Sequence, residues 1–219
     1  MKKLIIFGTG QIAEVAAKYI KEDKDVEITA FTVEQKHLKI KKFCDLPVIA
    51  FEELINKYPP QEFILFAPIS YKKMNNERVR IFQKGKALGY EFYSFIHENC
   101  LNYASSIGEN SFILENNTIQ PFVEIGDNCI VWSGNHIGHH SKICSHTFIS
   151  SHVVISGSVE VGERCFLGVN CTIIDNIKVG ELSLVGAGCL ITKDLPIKSF
   201  VVGKSSKPHE KINSLKANF

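Results

Sequence analysis

The chain has 219 residues, 45% of them hydrophobic, and a formal net charge of +2, the profile of an ordinary soluble protein of one or two domains. So balanced a charge gives no reason to expect nucleic acid or a membrane surface as partner, and no apolar run approaches the roughly eighteen residues of a membrane span. Seven cysteines without a Cys-x-x-Cys pair read as small buried hydrophobes rather than as a disulfide framework.

The N-terminal stretch opens on an apolar run, Leu4–Phe7, followed by Gly8-Thr9-Gly10-Gln11-Ile12-Ala13 and a helix-like segment to about Ile20. The run reaches a glycine too soon for a signal peptide, so a cytoplasmic protein is expected. Strand, tight glycine turn and helix in that order form the first unit of a nucleotide-binding α/β fold. Apolar strands are predicted at Val26–Phe31, Phe63–Ala67 and Glu91–Ile96, with a polar helix from about Asn75 to Leu88. The region ends near residue 97, about half of a full dinucleotide fold, so a mononucleotide portion fits better than a dinucleotide cofactor. Backbone N–H groups at Gly8, Thr9, Gly10, Gln11 and Ile12 would face phosphate, and Glu34 is the candidate acid for a ribose. Residues Lys36–Lys42, rich in lysine, read as a solvated loop.

From Ile107 to Ile191 the grammar changes. Fifteen aliphatic residues recur at a spacing of six without a slip: Ile107, Ile113, Ile119, Ile125, Val131, Ile137, Ile143, Ile149, Ile155, Val161, Leu167, Ile173, Val179, Val185 and Ile191. Neither helix nor simple strand has that period, and a β-helix does. Four residues after each aliphatic stands a mostly small side chain, among them Cys129, Ser141, Cys165 and Cys171, which suits the inside of a narrow triangular prism. Glycine often follows the aliphatic, at Gly108, Gly126, Gly138, Gly162, Gly168, Gly180 and Gly186, where a bend is expected. Three hexads close one coil of eighteen residues. The expected organisation is a small parallel-sheet, Rossmann-like α/β domain over residues 1–100, then a left-handed parallel β-helix with a C-terminal tail over residues 101–219.

Residues 132–152 hold five of the eight histidines, an arrangement that invites a metal site. The register argues otherwise, because His140, His146 and His152 are spaced by six and fall on three successive faces. Only contact between subunits could bring them to one ion. His139 differs, since Gly157 follows it by one full coil and leaves space beside the imidazole for a thioester arm.

The register carried by Ile107-Gly108, Ile125-Gly126, Ile137-Gly138, Val161-Gly162, Leu167-Gly168 and Val185-Gly186, set behind a glycine-turn α/β domain, resembles the hexapeptide-repeat sugar acetyltransferases. These include the N-acetyltransferases of nucleotide-linked 4-amino sugars (the bacillosamine and perosamine enzymes) and relatives of the sialic-acid O-acetyltransferases. The resemblance implies a homotrimer with active sites at subunit interfaces, acetyl-CoA as co-substrate, no metal, and a nucleotide sugar held on the N-terminal domain. It also implies that His139, in Ile137-Gly138-His139-His140, is the general base. Best-known members follow that histidine with an acid; here His140 takes its place, leaving Asn135, Glu115 or another subunit as further candidates to orient it. On the acetyl-CoA side the resemblance implicates Gly157, Val169, Gly186 and Ala187, with Lys204 and Lys207 as phosphate contacts in the tail. On the nucleotide-sugar side it implicates Gly8 to Ile12, Glu34, Ala67, Pro68 and Trp132, the last as an aromatic wall or as a packing residue at the subunit interface.

The expected chemistry is direct acetyl transfer to a sugar amine in surface-polysaccharide or glycan biosynthesis. An imidazole that titrates near neutrality would take the proton, and a backbone N–H near Gly157 would stabilise the oxyanion. O-acetylation of a sugar hydroxyl would use the same base. A zinc-dependent hydratase of the β-helical carbonic anhydrase type and a non-catalytic sugar-nucleotide binder are the other readings.

Overall fold

The computed structural model describes residues 2–23 and 25–204. Its N-terminal part is a five-stranded sheet in the order β3-β4-β2-β1-β5, built from β1 (Lys2–Phe7), β2 (Val26–Val33), β3 (Lys42–Phe43), β4 (Leu46–Ala50) and β5 (Phe63–Phe66). All pairings are parallel except the β3–β4 hairpin, which turns through Cys44 and Asp45, both at positive φ. Helix α1 (Gln11–Ile20) buries Ala13, Ala16, Ala17 and Ile20 on one side of the sheet. Helix α3 (Asn76–Ala87) covers the other with Ile81 and Phe82, beside the short α2 (Leu54–Lys57).

The remainder is the predicted left-handed β-helix. Every one of the fifteen aliphatics is the second residue of a two-residue strand. The twelve strands from Ile107 to Ile173 each pair in parallel with the one eighteen residues on, as in Ile119 with Ile137 and Ile137 with Ile155, whereas Val179 and Val185 meet Leu195 and Val201 sixteen residues on and Ile191 ends its sheet. Fourteen of them are buried in one continuous core, with Ile107 packed at its end. The small residues four places later point inward too. Where these are polar their groups are satisfied by the coil itself: Asn117 Oδ1 accepts from the Asn135 N–H at 2.8 Å and Asn135 Oδ1 from the Val153 N–H at 2.7 Å. Such pairing removes the desolvation cost of an unmet amide.

Two expectations change. The glycines after the aliphatics are not where the chain bends. The left-handed residue lies two places further on, at Asn110, Asn116, Phe122, Asn128, His140, His146, His152 and their successors, all near φ +60. Asparagine and histidine tolerate that region better than most side chains. The glycines serve close approach instead: a β-carbon on Gly108 would lie 2.5 Å from the backbone nitrogen of Asp127, and one on Gly138 2.5 Å from the carbonyl carbon of Ser156. Further, the segment expected as a strand from Glu91 to Ile96 divides. Phe92 bridges to Leu65 of the α/β sheet, whereas Phe95–Ile96 pairs with Phe112–Ile113 and is the first strand of the prism.

The α/β domain docks on one face of the prism, here called the first. Phe112, Ile130 and Phe148 point outward from that face into a core shared with Leu4, Ile6, Phe31 and Phe66. At its margin Arg78 of α3 is wholly buried and meets no carboxylate among the described residues. Its guanidinium donates to the carbonyls of Asn128 (3.1 Å), His146 (2.9 Å), Thr147 (3.2 Å) and Ile69 (3.0 Å), so one side chain ties two coils to the domain. Burial pushes its pKa down to about 10, which still leaves it charged at neutral pH. Replacing it strands those carbonyls. We expect Arg78→Leu to lower unfolding free energy by about 3 kcal/mol, read as a reduced midpoint in urea, with Arg78→Lys in between.

Candidate active site

His139 stands on the edge between the second face, which carries His136–Ile137, and the third, which carries Lys142–Ile143. Its ring lies over Gly157 one coil on: a β-carbon there would sit 2.7 Å from Cε1 and 2.9 Å from Nε2 of His139. Any larger residue would displace the imidazole: the two positions are neighbours as the count of eighteen predicts, but the room left by the missing side chain is taken by the ring itself and not left for a thioester arm. The His139 N–H donates to Gln120 Oε1 at 2.9 Å. Its Nδ1 is 3.0 Å from Nδ1 of His140, a pairing in which one nitrogen must carry the proton and the other accept. When His139 donates, its lone pair is on Nε2, beside Gly157. Asn135 and Glu115, the other candidates for orienting it, are engaged elsewhere: Asn135 bonds to Trp132 and Val153 inside the prism, and Glu115 accepts from Tyr19 and Ser133.

Three neighbours were not foreseen. Gln120 holds the His139 backbone; Phe122 lies against the His140 ring, centroids 4.6 Å apart; and Asp175 accepts from the Gly157 N–H at 3.1 Å. That last bond means the amide expected as oxyanion donor already has a partner. Phe122 and Asp175 stand one coil before His140 and one after Gly157, so a count of eighteen would have found both.

Val169, Gly186 and Ala187 fall elsewhere. They follow first-face strands, on the edge between the first and second faces, one hexad away from the edge of His139 and Gly157. Lys204 is brought near this group, since a β-carbon on the preceding Gly203 would lie 2.8 Å from the Ala187 carbonyl oxygen. Lys207 lies outside the described residues.

In the α/β domain Gly8 has φ +115, a conformation that needs glycine, and Ala13 is small enough to let α1 pack 3.4 Å from where a Gly8 β-carbon would be. Gly10 caps α1 without any side-chain hydrogen bond, which leaves the first amides of the helix open to an anion. Gln11 and Ile12 line a cleft of about 1510 Å³ together with Trp132 of the prism and Asp45 and Leu46 of the hairpin. Thr9 is half-buried in the turn itself.

Six expected members do not line this cleft: Gly8, Thr9 and Gly10 stay in the turn, and Ala67, Pro68 and Glu34 are held elsewhere. Ala67 and Pro68 are buried, and Ala67 is bonded through both its N–H (2.8 Å) and its carbonyl (3.3 Å) to the Asn110 amide. They join domain to prism. Glu34 is also buried, its carboxylate bonded to Arg80 (2.6 Å), Lys84 (2.8 Å) and Lys36 (3.2 Å). The Arg80 guanidinium above all holds that carboxyl well below the usual range. Its contacts are those of an ion-pair hub between β2 and α3 rather than of a free ribose acceptor.

His140, His146 and His152 occupy three different corners, and no group of three or more possible metal ligands converges among the described residues.

Residues 104–139 match the model of the bacterial transferase hexapeptide (six repeats), and residues 158–193 that of the hexapeptide repeat of succinyl-transferase. The prism carries the hexapeptide repeat of bacterial transferases. No curated protein sequence matches the chain. Among solved structures, a mutant of perosamine N-acetyltransferase from Caulobacter crescentus in complex with CoA and GDP-perosamine is similar at a TM-score of 0.82 and 22% identity, over 93% of this chain and 94% of that one. The acetyltransferase domain of PglB from Neisseria gonorrhoeae in complex with acetyl coenzyme A gives 0.80 and 23%, over 95% and 99%. WeeI from Acinetobacter baumannii gives 0.81 and 16%, over 93% and 97%. At these identities the likeness establishes a shared fold, α/β domain and hexapeptide prism together.

His146 differs from the exposed pair. Its Nδ1 accepts from Asn128 Nδ2 at 2.9 Å, and burial, then Arg78 and Arg164, push its pKa down to about 4. The folded protein keeps it neutral to about that pH, whereas the unfolded chain protonates it near the ordinary value of about 6.5. Stability therefore falls as pH drops through this window. In His146→Asn the melting temperature should fall less between pH 6.5 and 4 than in the parent, as read by thermal scans across that range.

Proposed function

We propose that the protein is an acetyl-CoA-dependent N-acetyltransferase acting on a nucleotide-linked amino sugar, a 4-amino-4,6-dideoxy sugar being the class that fits the resemblance, in surface-polysaccharide or glycan biosynthesis. The observation that carries this reading is the His139 imidazole beside Gly157 with its other nitrogen on His140. That arrangement gives an exposed, hydrogen-bonded base whose Nε2 lies against a glycine at the edge of the prism. The hexapeptide repeat and the CoA complexes of the structural neighbours support acetyl-CoA as donor.

In the proposed reaction the neutral sugar amine attacks the thioester carbonyl, Nε2 of His139 takes the amine proton, and the CoA thiolate leaves; no acyl-enzyme forms. His140 orients the base through Nδ1. The amides from Thr9 to Ile12 hold the diphosphate, the Gly8 N–H being bonded to the Thr32 carbonyl at 2.8 Å, and Trp132 forms a wall of the cleft that Gln11 and Ile12 line. Gly157, Val169, Gly186, Ala187 and Lys204 belong to the donor side.

The two halves of this site do not meet within one chain. The α/β domain covers the first face, and His139 lies on the far edge of the second. Likewise the edge of Val169 and Ala187 is not that of Gly157. A homotrimer in which the edge between the first and second faces of one chain meets the edge between the second and third faces of its neighbour would unite them, which is the assembly proposed here. The enzyme is placed in the cytoplasm, where acetyl-CoA is made.

O-acetylation remains the second reading, because His139 would serve a hydroxyl in the same place. Thiol release from acetyl-CoA, measured over a panel of nucleotide-linked 4-amino and 3-amino sugars and a free sialic acid, separates the two. His139→Asn should lower kcat at least about a hundredfold while acetyl-CoA binding by calorimetry stays within about twofold. Near-normal turnover in that variant would sink the role of His139.

A further inference from the structure

Phe122 is the residue of the His139 corner that the proposed reaction leaves without a task. It is 62% exposed and has φ +67, a conformation costly for a bulky side chain. The equivalent corners elsewhere hold asparagine five times, at Asn110, Asn116, Asn128, Asn170 and Asn176. An exposed phenyl group at a strained position gains nothing from core packing. What it does contact is the ring of His140, one coil on at the same corner, with centroids 4.6 Å apart and planes 31° from parallel. The His140 ring in turn stands at 86° to that of His139, the two Nδ1 atoms 3.0 Å apart.

We infer that Phe122 is a positioning residue for acetyl transfer: its ring fixes the plane of His140, so that His140 presents Nδ1 to His139 and not to solvent. This rests on the proposed role of His139. An exposed imidazole turns freely about its side-chain torsions, and a rotated His140 would offer His139 no acceptor. His139 would then lose both its preferred tautomer and its fixed orientation. The phenyl face restricts that rotation by contact alone, without a charge, which suits a neutral acceptor. In a chain with a carboxylate after the base, charge would hold the pair together. Here the carboxylate is absent and an aromatic platform stands under its replacement.

Phe122→Asn is the test, because asparagine is the residue this backbone accepts at the other corners, and the melting temperature should be unchanged or raised. We expect kcat to fall about tenfold, as for a misaligned catalytic group, with KM for acetyl-CoA and for the sugar nucleotide each within about twofold. Phe122→Tyr, which keeps the ring, should restore kcat. In the proton NMR spectrum the His140 ring signals should move downfield in Phe122→Asn as the ring current is lost, and should stay in place in Phe122→Tyr. Unchanged kcat in Phe122→Asn overturns the inference and leaves acetyl transfer by His139 intact. So does a raised KM for the sugar nucleotide with kcat unchanged, which would make Phe122 a wall of the acceptor site. A His139→Asn variant as active as the parent overturns the proposed function, and the positioning role with it.

Discussion

Everything in this molecule depends on the coil closing in eighteen residues. The closure is enforced twice in each hexad, by an aliphatic side chain buried in the prism axis and by a left-handed residue at the corner. Each buried aliphatic contributes about 1.5–3 kcal/mol, and the repetition makes any slip of register cost several at once, because a shifted hexad would turn its aliphatics to solvent. Glycine after the aliphatic then lets successive coils approach to contact. Side chains at equal places in successive coils are therefore neighbours by construction. That is why His139 meets Gly157 and why Phe122 meets His140.

A prism built this way is a ruler, but it supplies no cleft. The cleft comes from docking a glycine-turn domain against the first face, and that docking is fixed by polar contacts no periodicity announces. Asn110 reaches 43 residues back in sequence to bond both backbone groups of Ala67, and Arg78 gathers carbonyls from two coils. Together they set the domain beside Trp132. The cleft beside Trp132 and the imidazole edge are thus held at fixed positions on different faces, and the proposed trimer is the step that would join them.

These two kinds of contact also decide what could be read in advance. The fifteen strand positions, the inward small residues, the scattering of the histidines and the partnership of His139 with Gly157 all follow from counting, and all were legible. So was the strand, glycine turn and helix of the first twenty residues, whose apolar spacing is local. Glu34, Ala67 and Pro68 were placed in the cleft because they follow strands, and strand order alone does not say which loop a docked prism will cover. The purpose of the repeat glycines was misjudged for a different reason: a glycine needed for close approach and one needed for a bend look alike until the φ angle is known. Val169 and Ala187 could have been separated from Gly157 with the same ruler, since they follow it by 12 and 30 residues, neither of them a whole number of coils.

The exchange of an acid for His140 has a chemical consequence that bears on the acceptor. A carboxylate beside an imidazole orients it and also stabilises the imidazolium that forms when the base takes a proton. A neutral imidazole does the first and not the second. For a pair as exposed as this one the missing attraction is worth about 1 kcal/mol or less, a factor of about five in rate at most. A sugar hydroxyl needs its proton drawn off as it attacks, so it feels that loss in full. An amine attacks through its own lone pair and becomes acidic only as the new bond forms, so it asks for an oriented base more than for a strong one. On the proposed reading, the His139–His140 pair, with the Phe122 ring against His140 and Gln120 on the His139 backbone, suits the easier of the two nucleophiles.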